Sequence, residues 1–216
     1  KKIINKYDMI YGTYGIHPHE AKNDKLTSDL IVKEISENKK IIAIGETGLD
    51  FYRNFSAAKQ QELSFEAHLE LAIETRYPLF LHERDAHKRF IEIISPYKED
   101  LPKSVVHCFT GNKDALEKYI EMGFYIGITG WLCDERRGKH LIDLIPIIPL
   151  DKLMIETDCP YLLPRDMGID NSTRNEPQFL KHIAERIAEI RPESKELLFS
   201  AIYMNSLDFF DITFQE

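Results

Sequence analysis

Short β-rich runs separated by longer amphipathic stretches dominate this sequence, and that alternation constrains the fold more than any other feature. The β-type runs are Met9 to Ile16, Ile41 to Gly45, Pro78 to His82, Ser104 to Cys108, Phe124 to Ile128 and Lys152 to Glu156. Helices are expected between them, over Ser28 to Asn38, Lys59 to Thr75, Asp85 to Ser95, Lys113 to Met122 and Gly138 to Ile145. Two more, Glu176 to Ile190 and Ser194 to Phe210, follow the last run. Phe65, Leu69, Ala72 and Ile73 recur at helical spacing and predict one buried face. The runs IIAIG and LFL are almost continuously apolar, as suits strands covered on both faces. Strand then helix, repeated, predicts βα units and a parallel sheet, the α/β class. Alternation alone does not choose between a closed barrel and an open doubly wound sheet.

The chain has 216 residues, 43% of them hydrophobic, and no composition break divides it, so one domain spanning residues 1–216 is expected. No apolar run approaches the roughly 18 residues of a membrane span, and the start KKIINKYDMIYG lacks a secretory signal's apolar stretch. Cys108, Cys133 and Cys159 are odd in number and match no zinc spacing, which suits a reducing compartment. A cytoplasmic protein without membrane partners is therefore expected. With 28 Lys and Arg against 36 Asp and Glu, the formal charge of −8 argues against a broad basic surface for nucleic acid. It leaves open a nucleic-acid substrate held through metal or a local arginine cluster. No GxGxxG or GxxxxGK[ST] loop follows a strand, so neither dinucleotide nor P-loop binding is supported.

Instead, metal-type residues close the strands. Glu46 follows IIAIG, His82 closes PLFLH, His107 closes SVVH and Asp158 closes LMIETD, at the strand ends where α/β barrels assemble active sites. A single histidine at such a position is usually a hydrogen-bonded core residue. Four ionisable groups at equivalent positions would each need a separate buried partner, which makes the bland reading the weaker one. Oxygen and imidazole ligands suit Mg²⁺, Mn²⁺ or Zn²⁺. The segment GIHPHE adds His17 and His19; strand alternation points only one inward, and His17, nearer the strand end, is the preferred site residue. His68, His140 and His182 fall in helix patterns and read as packing or surface groups, whereas His87 starts a helix at the active edge and is placed to touch substrate. The loops TGLDFYRNF, ERDAH, TGWLCDERRG and CPYLLPRD gather Arg53, Arg84, Arg136, Arg137 and Arg165 beside Tyr52, Trp131 and Tyr161. Such a rim fits a phosphodiester chain whose phosphates pair and whose bases stack. Asp134 and Glu135 also permit a purely structural ion pair with Arg136 and Arg137.

In order, GIHPHEA, IGETGLDFYRNFS, PLFLHERDAH, VVHCFTGNKDALEKYIEMGFYIGITGWLCDERRG and LMIETDCPYLLPRD resemble the TatD family of metal-dependent deoxyribonucleases, from Gly15 to about Pro177. The resemblance implies a TIM barrel of the metallo-dependent hydrolase superfamily, a divalent metal with Mg²⁺ first, and hydrolysis of DNA from single-stranded ends in the 3′-to-5′ direction, with the choice between DNA and RNA left open. It implies Glu46, His82, His107 and Asp158 as metal ligands and His17 as a further active-site histidine. Asp158 would also accept a proton from water, and His17 would orient the phosphate or protonate the leaving oxygen. Arg53, Arg84, Trp131, Arg136, Arg137 and Tyr161 are the expected substrate contacts. Six strands against the eight of a closed barrel, in a chain that opens with Lys, lead to the expectation that the first two βα units are absent. Two competing readings are an amidohydrolase acting on a small cyclic amide or ester, and an inactive fragment serving as a binding module.

Overall fold

The computed structural model describes residues 1–23 and 28–213, in two compact units. The first comprises Lys1–Val105 with Phe209–Asp211. It contains β1 (Gly12–Tyr14), α1 (Ser28–Glu37), β2 (Ile41–Asp50), α2 (Ala58–Thr75), β3 (Leu79–Arg84) and α3 (His87–Ile94). Strands β1, β2 and β3 pair in that order and in parallel. Phe65, Leu69 and Ala72 of α2 are buried as the spacing predicts, Ile73 is partly exposed, and Phe65 stacks on Phe90 of α3 with centroids 4.8 Å apart.

The face of α2 also buries Gln61 and His68, and both carry backbone. Gln61 Oε1 accepts from the Asp50 amide at 2.8 Å, and its Nε2 donates to the Ser56 carbonyl at 2.8 Å. His68 Nε2 accepts from the Ile16 amide at 3.0 Å, while Nδ1 lies 2.6 Å from the Ser64 carbonyl. His68 is thus the packing residue expected, and burial lowers its pKa. It fixes the chain one residue before His17.

Strand β2 does not stop at Gly45. It continues to Asp50, with a register shift between Gly45 and Thr47 that brackets Glu46. A local irregularity of this kind re-aims a side chain. Gly48, at φ +138°, sits where a Cβ would collide with the His82 carbonyl, so only glycine permits so close an approach of β2 to β3. Glu46 and His82 therefore lie within paired strands, His82 opposite Gly48, instead of closing them.

β4 (Ser104–Val106) lies where the first unit's sequence passes into the second's, Val106–Asp208 with Ile212–Glu216. The second unit holds α4 (Lys113–Glu121), β5 (Tyr125–Ile128), α5 (Lys139–Leu144), β6 (Leu153–Ile155), α6 (Leu180–Ile190) and most of α7 (Lys195–Phe209). β5 and β6 pair in parallel, Gly127 opposite Met154, and the Phe109 amide donates to the Gly127 carbonyl at 2.9 Å. Leu116, Tyr119, Ile126, Leu153, Ile183, Ile187 and Leu198 form the core of this unit. Asn205 of α7 donates to the Leu150 and Leu153 carbonyls, both at 2.8 Å, and so ties the helix to the start of β6. Among the described residues, no helix is long and apolar enough to cross a membrane.

Candidate active site

In the first unit, the chain leaves extended geometry after Tyr14 and turns at Pro18–Glu20 in a single 3₁₀ turn. His17 caps that turn, its Nδ1 accepting from the His19 amide at 3.1 Å. When the ring is neutral, its proton is therefore on Nε2, which lies 3.4 Å from Glu46 Oε1. The same carboxylate oxygen lies 2.5 Å from His82 Nδ1. His17, Glu46 and His82 thus form one donor cluster, their candidate ligand atoms mutually within 4.8 Å.

Two residues outside the predicted set complete it. His19 Nε2 lies 2.7 Å from Asp50 Oδ2, and His82 Nε2 lies 3.4 Å from the same oxygen. The expectation that only one histidine of the His-Pro-His segment points inward is corrected, because alternation holds for a strand and these residues are in a tight turn. Asp50, read as part of a loop, is the last residue of β2 and is 1% exposed. Burial raises its pKa, but the nearby His82 imidazole and the hydrogen bonds with the Arg53 amide and His19 outweigh that and hold it well below the usual carboxylate range. For His82, burial disfavours the charged ring, and Asp50 and Glu46 reverse the balance, so its pKa is raised. A sequence signal for Asp50 existed in the run GLDFYRNF, but only the length of β2 shows where it points.

In the second unit, His107 follows β4 and His107 Nδ1 contacts the Glu156 carboxylate. Its Nε2 lies 3.8 Å from Asp158 Oδ1. Glu156 lies over Gly127, where any Cβ would displace it. A carboxylate on one imidazole nitrogen turns the other toward a cation, the usual support for a metal-ligating histidine. Glu156 is therefore a third residue outside the predicted set. Cys108 joins His107 and Asp158 within the same 4.8 Å limit, and its Sγ also lies 3.4 Å from Thr129 Oγ1.

The rim residues fall into two groups. Arg84 lies over the Tyr52 ring at 4.1 Å and Arg53 at 5.6 Å, in the first unit. In the second, Arg136 and Arg137 both bond the buried Asp134 carboxylate, at 2.8 and 2.9 Å, and Arg137 also lies 4.1 Å over Trp131. The Arg136 hydrogen bond first, then the amide and Arg137, hold Asp134 well below the ordinary carboxylate range against the cost of burial. The structural ion pair that the sequence permitted is thus formed. Tyr161 is 71% exposed. A third cluster, Cys133, Asp166 and His182, was not visible in the sequence. Burial and then Asp166 push the Cys133 thiol up to about 12, and Arg186 lies 3.9 Å from Asp166. Within this cluster, His182 Nε2 lies 2.6 Å from Asp166 Oδ1.

Donor chemistry tests whether the first two clusters suit a divalent metal. Both combine carboxylate oxygen with imidazole nitrogen. His82 Nε2 and Glu156 Oε1 are buried and make no hydrogen bond of acceptable geometry, so ligating atoms or their direct supports remain unsatisfied by protein. The residues fit the group.

Parallel βα units carrying imidazole and carboxylate clusters at and beyond their strands define a metal-dependent hydrolase of the TIM-barrel type. Comparison with known proteins agrees. The chain matches the family described as TatD related DNase over residues 1–211, and it belongs to that family. A Salmonella typhimurium protein named 3′-5′ ssDNA/RNA exonuclease TatD is 44% identical over 214 residues, covering 99% of this chain and 82% of the relative. Its namesake in Rahnella sp. is 50% identical over 192 residues, 88% of this chain and 73% of the relative. Among solved structures, the TatD homologue YjjV from Escherichia coli superposes with a TM-score of 0.89 at 25% identity, covering 98% of this chain and 81% of that one. The fold is that of the metallo-dependent hydrolases, and family membership implies a divalent metal and a nucleic-acid substrate.

Proposed function

We propose that this chain is a 3′-to-5′ exonuclease that hydrolyses phosphodiester bonds at single-stranded DNA ends, and RNA ends, with Mg²⁺ as its metal. The observation that carries the reading is the pair of imidazole and carboxylate clusters in a chain 44% identical to a named exonuclease of that specificity. In this reading Glu46, His82, His107 and Asp158 hold metal. The bound ion supplies positive charge for the phosphoryl oxygens and lowers the pKa of water. Asp158, 34% exposed at its side chain, accepts the proton that the attacking water loses. His17 donates from Nε2 to the scissile phosphate or to the leaving oxygen, the nitrogen that its own turn leaves protonated. Glu156 and Asp50 position His107 and His82. Arg53, Arg84, Trp131, Arg136, Arg137 and Tyr161 are the proposed substrate contacts, Arg136 and Arg137 after exchanging part of their bonding with Asp134 for phosphate.

The reading extends to one hydrolase domain, supported by a family match that runs unbroken over residues 1–211. It includes a cytoplasmic location, supported by the absence of any disulfide among Cys108, Cys133 and Cys159. The test uses EDTA-stripped protein and a 5′-labelled single-stranded oligonucleotide. Added Mg²⁺, with Mn²⁺ and Zn²⁺ as comparison arms, should restore a ladder shortening from the 3′ end. If Asp158→Asn and His107→Ala both retain wild-type cleavage, the assigned residues are wrong.

A further inference from the structure

The turn that follows β2 carries two aromatic rings outward from a rigid base. Tyr52 and Phe55 are each 58% exposed, although both are large enough to be worth burying. Their exposure does not come from a loose loop. The Arg53 amide donates to Asp50 Oδ1 at 2.7 Å, the Phe51 amide to the Arg84 carbonyl at 3.0 Å, and the Asn54 amide to the Asp50 carbonyl at 3.2 Å. Beneath Phe55, buried Ser56 donates to the His19 carbonyl at 2.8 Å and accepts from the Lys22 amide at 3.1 Å. Every one of these anchors is backbone or buried side chain, so the backbone that carries both rings is held in place.

Phe55 adjoins the metal-ligand cluster, and both rings have cations beside them. Phe55 packs edge-on against His19 at 4.8 Å between centroids, and His19 packs in turn on His17 at 4.2 Å. Tyr52 has the Arg84 guanidinium 4.1 Å from its centroid. Lys22 Nζ donates to the Phe55 carbonyl at 3.2 Å, which brings a third cation beside the turn. Exposed π faces interleaved with Arg and Lys, one imidazole away from His17, are complementary to nucleobases attached to a phosphate chain.

We propose that Tyr52 and Phe55 form a stacking site for the unpaired bases flanking the scissile phosphodiester. The proposal rests on the nuclease reading and deepens it by assigning the residues that select single strands. A base in a duplex has both faces covered by its neighbours, whereas a frayed or single-stranded end offers a free face. Neither Tyr52 nor Phe55 acts on the reacting atoms; they set which ends are held long enough to react.

The test compares two single-stranded oligonucleotides with identical backbones, one ordinary and one whose 3′-terminal nucleotides are abasic. For the wild-type chain with Mg²⁺, kcat/KM should favour the ordinary end about tenfold, the factor given by about 1.4 kcal/mol of stacking. In Tyr52→Ala/Phe55→Ala this ratio should fall to about one, while Tyr52→Phe and Phe55→Trp should keep it. Fluorescence-anisotropy binding of the same oligonucleotides in EDTA should show the same collapse. Because the ratio is taken within each variant, partial loss of folded protein cancels. A ratio of one in the wild type, or an undiminished ratio in the double variant, overturns the stacking site while leaving the nuclease reading intact. Cleavage of neither oligonucleotide by the wild type defeats the nuclease reading itself, and the stacking proposal with it.

Discussion

Asp50 and Asp134 are both almost wholly buried carboxylates held well below the usual carboxylate range, yet their surroundings differ in kind. Asp50, in the first unit, faces the imidazoles of His19 and His82. Asp134, in the second, faces the guanidiniums of Arg136 and Arg137. A guanidinium is charged at every working pH, so the charge beside Asp134 does not titrate away. An imidazole can exchange its proton for a metal near neutral pH, so the charge around Asp50 is exchangeable. Depressed carboxylate pKa values alone do not separate a structural cluster from a chemical one. The partner's capacity to titrate does.

Four measurements sharpen or break this contrast. The largest effect is expected at the proposed ligands: Glu46→Gln or Asp158→Asn should lower exonuclease kcat/KM by about 100-fold or more, beyond what a supporting residue costs. Next is Asp50→Asn, which should weaken metal affinity by about 10- to 100-fold as a residue acting through His82, read by isothermal titration with Mn²⁺. An unchanged affinity would make Asp50 as structural as Asp134. Asp134→Ala removes the acceptor shared by Arg136 and Arg137 and should reduce unfolding free energy by about 2 kcal/mol, measured by the urea midpoint.

The smallest effect is the pH profile of metal-free protein. Asp50 is depressed, so its contribution is present above its unfolded value of about 3.9 and disappears as pH falls through the lower folded value. His82 is raised, so its contribution is full below about 6.5 and disappears as pH rises through the folded value. The stabilisation measured by Asp50→Asn should therefore be greatest between about pH 4 and 6.5 and decline as pH rises through the raised folded value of His82. For Asp134→Asn it should stay level across that range, because arginine does not titrate there. Parallel decline at both sites would refute the distinction.

Much of the candidate site was legible because its residues come in order along the chain. Glu46, His82, His107 and Asp158 could be selected by type and by nearness to strand ends, and the structure groups Glu46 with His82 and His107 with Asp158. The two-sided burial of IIAIG and the helical face of α2 were equally readable, since both depend on local periodicity. Asp50, His19 and Glu156 were not. Asp50 depends on β2 running five residues beyond Gly45, which the two glycines disguised as a strand stop. His19 depends on a 3₁₀ turn at Pro18, where the period-two rule fails. Glu156 depends on the vacancy that Gly127 leaves in a neighbouring strand, a relation across almost thirty positions of sequence.

The sequence by itself determined the α/β class, the family and the residue types able to bind a divalent cation, because patterning and motif order are properties of the chain. Only the tertiary structure decided which carboxylates orient which imidazoles, and which arginines are already committed to Asp134. The carboxylate–imidazole pairings, Glu46 with His82 and Glu156 with His107, join residues 36 and 49 positions apart, and contacts over such separations cannot be read from spacing along a chain.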